Sequence, residues 1–127
     1  MSNESLTELV RHHLEAASAA SSGRSAHTVY GGHEHVLRQT LIALRAGSNL
    51  DEHESPGEAT LQVLHGRITL VAGEDRWGGS TGDLLVIPDA RHSLESVEDA
   101  VVLLTGTGLK ATARIKEYID ANRGGTR

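Results

Sequence analysis

The sequence predicts one small all-β domain, an antiparallel sandwich or barrel with a short helix outside each end. Three observations predict it. Between His27 and Thr105 the chain runs in short apolar or alternating stretches separated by closely spaced turn signals. Fourteen glycines supply the tight turns such a fold needs. Helical spacing of apolar residues shows only near the two ends. A chain of 127 residues is one domain's worth of polypeptide and buries roughly two thirds of its unfolded surface without disulfides or a structural metal.

Taken in order, residues 5–20 read as an amphipathic helix. Ser5 and Glu8 have capping-box spacing, and Leu6, Leu9, Val10, His13, Leu14 and Ala17 recur on one face. The small, polar run Ala19–Ser25 reads as a linker or loose turn. The clearest strands are Val36–Leu44, Ala59–Leu64, Arg67–Val71, Leu84–Ile87 and Ala100–Leu104. Turns are expected at Gly31-Gly32, Gly47-Ser48-Asn49, Pro56-Gly57, Gly66, Gly73-Glu74-Asp75, Gly78-Gly79, Gly82-Asp83, Pro88-Asp89 and Glu98-Asp99. Helical spacing returns over Lys110–Asn122, with Ile115, Tyr118 and Ile119 on one face, and stops at Gly124-Gly125. The chain thus divides into 1–26, an N-terminal amphipathic helix and linker; 27–108, the β-barrel; and 109–127, a C-terminal helix and tail.

Composition excludes several functions. Twelve basic against seventeen acidic residues give a formal charge of −5, so no basic field exists for nucleic acid or an anionic membrane surface. Aromatics are 2% of the chain, too few for base-stacking platforms. With no cysteine there is no thiolate nucleophile and no Cys-ligated metal. No stretch approaches the ~20 apolar residues of a membrane span, and the charged start lacks the apolar centre of a secretory signal. The expected protein is soluble and cytoplasmic. Asn3-Glu4-Ser5 matches a glycosylation sequon but reads as a helix entry. Ser55 and Ser93, the serines near histidines, have no recognisable base and orienting acid. Gly106-Thr-Gly108-Leu-Lys110 lacks the full spacing of a phosphate loop.

Histidines and carboxylates are left as the metal-ligand types. Gly47 is followed by His53, Pro56-Gly57, the strand from Ala59 and His65-Gly66; then come Gly82-Asp83, Pro88 and His92. In these residues the sequence resembles the cupin family. The family's first motif, G(x)5HxH(x)3–4E(x)6G, finds its Gly at Gly47, its first His at His53 and its closing Gly at Gly66. The second, G(x)5PxG(x)2H(x)3N, finds Gly82 and Pro88, with His92 one place early. The resemblance spans Val36 to about Thr105. It implies a double-stranded β-helix, the jelly-roll barrel, and, with open sheet edges in need of cover, a homodimer.

The metal motif is degenerate, because the family's second His falls on Ser55 and its Glu on Ala59. A catalytic zinc normally keeps three protein ligands and a non-haem iron two His and one carboxylate, which His53 and His92 alone do not supply. Glu58, beside the lost position, is the best substitute. His33-Glu34-His35 is a second HxH, expected at the rim. His65 abuts a turn and is expected to reach solvent. The expectation is a metal-free pocket rather than an occupied site for a divalent metal such as Zn, Ni, Fe or Mn.

Two hypotheses follow. In the first, the barrel mouth binds a small organic ligand through His53, His92, Gln39 and Ser55, Gln39 being the polar residue favoured to aim inward. The second is a metal-dependent enzyme of dioxygenase or isomerase type using His53, His92 and Glu58. A barrel packed shut would instead mark a dimerisation scaffold. His12, His13 and His27 read as helix and surface residues, Trp77 as a hairpin packing residue and Arg91 as an exposed loop charge. No nucleic-acid or membrane partner is expected.

Overall fold

The computed structural model describes residues 3–32, 34–53 and 57–107, with His53 described by its backbone. One helix, α1 (Leu6–Ala19), precedes nine strands: β1 (Arg24–Tyr30), β2 (Arg38–Leu44), β3 (Asn49–His53), β4 (Ala59–His65), β5 (Arg67–Ala72), β6 (Asp75–Ser80), β7 (Leu84–Val86), β8 (His92–Ser96) and β9 (Ala100–Gly106). Ser5 caps α1 as its spacing predicts, its Oγ accepting the Glu8 backbone N–H at 3.2 Å.

The strands form two antiparallel sheets, ordered β1-β2-β9-β4-β7 and β3-β8-β5-β6. Leu44, Leu61, Val63 and Val102 from the first sheet pack in one core with Ile68, Leu70 and Leu94 from the second. On the far face of the first sheet Ala17 of α1 packs against Leu41, Ala43, Val101 and Leu103. This layering explains the strand sequences. β2 and β9 are apolar on both faces because one face meets the opposite sheet and the other meets the helix. β4 alternates with Gln62 exposed, because α1 packs on β1, β2 and β9 and leaves that part of the face open.

Burial divides the sandwich into a packed end and an open end. At the packed end the Gly47 N–H donates to the Ser96 carbonyl at 2.9 Å, and the Ser96 Oγ donates to the Leu44 carbonyl at 3.5 Å. Along β9 residues Ala100–Leu103 are buried and Leu104–Gly106 half-buried; along β2 burial falls from Leu44 to an exposed Arg38. Ladder register brings Arg38, Gly106 and Ala59 side by side at the open end.

The five clearest expected strands are present. Four others were not expected as strands. The linker read over Ala19–Ser25 is corrected: Arg24 and Ser25 begin β1 and pair with Leu44 and Ala43. Gly78-Gly79 is not a turn either, since both lie inside β6 opposite Thr69 and Ile68. A Cβ on Gly79 would lie 2.8 Å from Leu85 Cδ1, so the missing side chain admits the facing sheet. The C-terminal helix expected over 110–122 lies outside the described residues.

Candidate functional site at the open end

His92 is the best-defined member of the site. It opens β8, where it alternates with Ser93 and Glu95 and shares the inner face of Leu94 and Ser96; it is 4% exposed. Its Nδ1–H donates to the Ala90 carbonyl at 2.9 Å. That bond fixes the tautomer and makes Nε2 the lone-pair nitrogen, the arrangement that suits an imidazole to accept a proton or bind a metal.

His53 stands directly opposite His92 in the β3–β8 ladder. A register shift between Leu50 and His53 produces this pairing: Leu50 faces Leu94, and an unbroken ladder would have set Glu52 against His92. Glu52 instead holds the Arg91 Nε at 3.2 Å on the exposed side. The two histidines predicted from motif spacing therefore occupy facing backbone positions at the open end.

Ala59, at the family's Glu position, is buried with its side chain in the inter-sheet core, so the interior there is apolar. Glu58 precedes β4 and is exposed; its carbonyl accepts the Thr107 N–H at 3.2 Å. With Gly57, Thr60, Val86, Ile87 and Asp89 it lines a cleft of about 210 Å³ beside the mouth. Ser55 lies outside the described residues.

Gln39 requires a correction. Strand alternation puts it on the face of Leu41 and Ala43, towards α1, where its Nε2 donates to Thr105 Oγ1 at 3.2 Å. The inner face of β2 carries Arg38, Thr40, Ile42 and Leu44. Arg38 is the functional candidate that sequence reasoning missed, although its period-two relation to Leu44 was available. Two other described histidines lie elsewhere, while His33 is outside the described residues. His35 is exposed and packs on Tyr30, with ring centroids 4.9 Å apart, and His65 is exposed, as its place before a turn predicts.

His13 lies on the apolar face of α1, where its spacing with Leu9, Leu14 and Ala17 puts it. It is 9% exposed, its Nδ1 lies 2.7 Å from Ser25 Oγ, and its ring centroid is 4.9 Å from that of His12 and 5.6 Å from that of His27. Burial first, then the neighbouring charges of His12 and His27, push its pKa below the ordinary value. This cluster lies between α1 and the outer face of the sheet.

Among the described residues no group of three His, Asp or Glu side chains is placed to hold a metal ion. His92 has the tautomer of a ligand, but among the described residues the three-ligand set that catalytic zinc or facial-triad iron needs is not assembled.

No family profile and no curated protein matches the chain by sequence. Solved structures do match in shape. An RmlC-like cupin protein from Desulfovibrio desulfuricans aligns with a TM-score of 0.59 and 24% identity, over 68% of this chain and 83% of that one. KdgF from Halomonas aligns with a TM-score of 0.58 and 17% identity, over 70% and 83%. A salicylate 1,2-dioxygenase variant from Pseudoaminobacter salicylatoxidans, in complex with gentisate, aligns with a TM-score of 0.66 and 19% identity, over 89% of this chain and 34% of that one. Identities this low establish likeness of fold.

Proposed function

We propose, from the premise that this chain has the cupin fold, that it binds a small organic molecule at the open end of the barrel, with His53 and His92 among the polar groups of the mouth. The observation that carries this reading is the His53–His92 pairing at the end of the sandwich where burial declines. Glu58 lines the cleft beside this mouth, and Ser55 is kept as a ligand candidate on the sequence alone. The pocket is metal-free or holds a divalent ion weakly, consistent with the apolar Ala59 at the carboxylate position.

The second reading is metal-dependent catalysis of dioxygenase or isomerase type through His53, His92 and Glu58. The shape likeness to a salicylate 1,2-dioxygenase favours it. Elemental analysis of untagged protein, purified without added metal, separates the two. Stoichiometric metal lost in both His92→Ala and Glu58→Gln supports the enzyme; metal-free protein that binds ligand and loses it in His92→Ala supports the binding module. Ligand binding unchanged in His53→Ala/His92→Ala refutes the site.

The same reading keeps a homodimer. β7 ends its sheet and exposes Leu84 (64%) and Val86 (75%), an open apolar edge. Sedimentation equilibrium checks it, with a dimer mass expected and a monomer at all concentrations excluding it.

A further inference from the structure

We infer that the mouth recognises a carboxylate, which Arg38, Thr28 and Thr40 hold at the β1–β2 edge while the rest of the ligand lies towards the apolar interior. This rests on the reading of the mouth as a ligand site and names the class of ligand.

The argument starts from register. Thr28 faces Thr40 across β1–β2, Thr40 faces Leu104 across β2–β9, and Leu104 faces Leu61 across β9–β4. One row on the inner face thus passes from two hydroxyls at the edge to two leucines in the interior. The next row towards the mouth is Arg38, Gly106 and Ala59, so small residues leave space beside the guanidinium. Thr28, Gly31, Gly32, Arg38 and Thr40 line a cavity of about 400 Å³, room for a small organic acid. Gly31 and Gly32 have φ of +146° and +132°, a conformation that favours glycine and leaves this wall without side chains.

Charge supplies the second step. Acidic residues outnumber basic ones in this chain, and Arg11, Arg76 and Arg91 each hold a glutamate. Arg38 has no ion pair or side-chain hydrogen bond among the described residues, and neither hydroxyl has a side-chain partner there. A planar fork of donors flanked by two hydroxyls matches the two oxygens of a carboxylate. Strand β3, which ends at His53, runs along the same side of the sandwich, tied to β1 where Arg24 Nη1 donates to the Asn49 carbonyl at 3.1 Å. From that packed end both strands run towards the open end, β1 to Tyr30 and β3 to His53.

The test titrates ¹⁵N-labelled protein with benzoate and with its neutral isostere benzamide. Benzoate is expected to shift the amides of Thr28, Gly31, Gly32 and Thr40 and to bind at least about tenfold tighter than benzamide. Arg38→Gln should remove that preference, and Thr40→Val should weaken benzoate several-fold, both with native-like spectra. Equal affinity for the two probes, no shifts in these amides, or unchanged benzoate affinity in Arg38→Gln overturns the assignment. His92→Ala separates this from the broader reading. Binding lost in His92→Ala but retained in Arg38→Gln sinks the carboxylate site and leaves the histidine mouth standing; the reverse pattern keeps the carboxylate site and removes the histidines from it.

Discussion

Gly47 and Gly66 share a φ of +85° and differ in what surrounds them. A Cβ on Gly47 would meet nothing within 4 Å, whereas one on Gly66 would collide with the Asp99 carbonyl oxygen and lie 2.9 Å from Ala100 Cα. The first substitution is charged only for the left-handed backbone, about 1 kcal/mol. The second must also displace the backbone at the start of β9, which adds roughly 1–3 kcal/mol. Urea unfolding of Gly47→Ala and Gly66→Ala measures the difference directly. Equal losses would show that the β4–β5 turn relaxes freely. At this same scale the motif glycines were legible, because spacing alone singled out both. Their unequal cost was not, because it depends on a chain segment more than thirty positions away from Gly66.

At the scale of the element, α1 is held by Leu9, Val10, Leu14 and Ala17, with His13 set among them against Ser25. Burial and the charges of His12 and His27 depress the His13 pKa below 6.5, so the unfolded chain takes up its proton first. The stability this group contributes is therefore complete above about pH 6.5 and is lost as pH falls through its folded pKa. Melting curves from about pH 8 to about pH 5 should show a decline that His13→Gln flattens; parallel declines in the two proteins would remove His13 as the cause. The helix itself was readable from cap and periodicity. β1 was not, because its outward residues Ser25 and His27 are polar and its inner face is exposed, so no alternating apolar signal marks it. β6 was hidden by glycines that serve close packing rather than a turn, and β8 by its brevity and its polar outer face.

For the whole molecule, the separation of a packed end from an open end separates stability from binding. Motif spacing made His53 and His92 legible. It could not choose between Gln39 and Arg38, because β2 is apolar on both faces and only the position of α1 reveals which face is inner. Nor could it foresee the β3 register shift that sets His53, instead of Glu52, against His92. Leu70, 1% exposed between the sheets, lies in the packed core, while His92 lies where the ladders reach the mouth. Leu70→Ala should cost about 2–5 kcal/mol of unfolding free energy through lost contacts and a cavity. Its ligand affinity, measured well below its melting temperature, should stay within about twofold of wild type, because Leu70 faces Leu94 in the β5–β8 ladder and pairs with neither histidine. His92→Ala should do the converse, abolishing ligand binding while the calorimetric transition moves less than in Leu70→Ala, since the bond from His92 to the Ala90 carbonyl spans only two positions of the chain. If Leu70→Ala instead weakens binding in proportion to its loss of stability, the two ends are mechanically coupled, and the mouth is held open by the packing of the whole core rather than by its own residues.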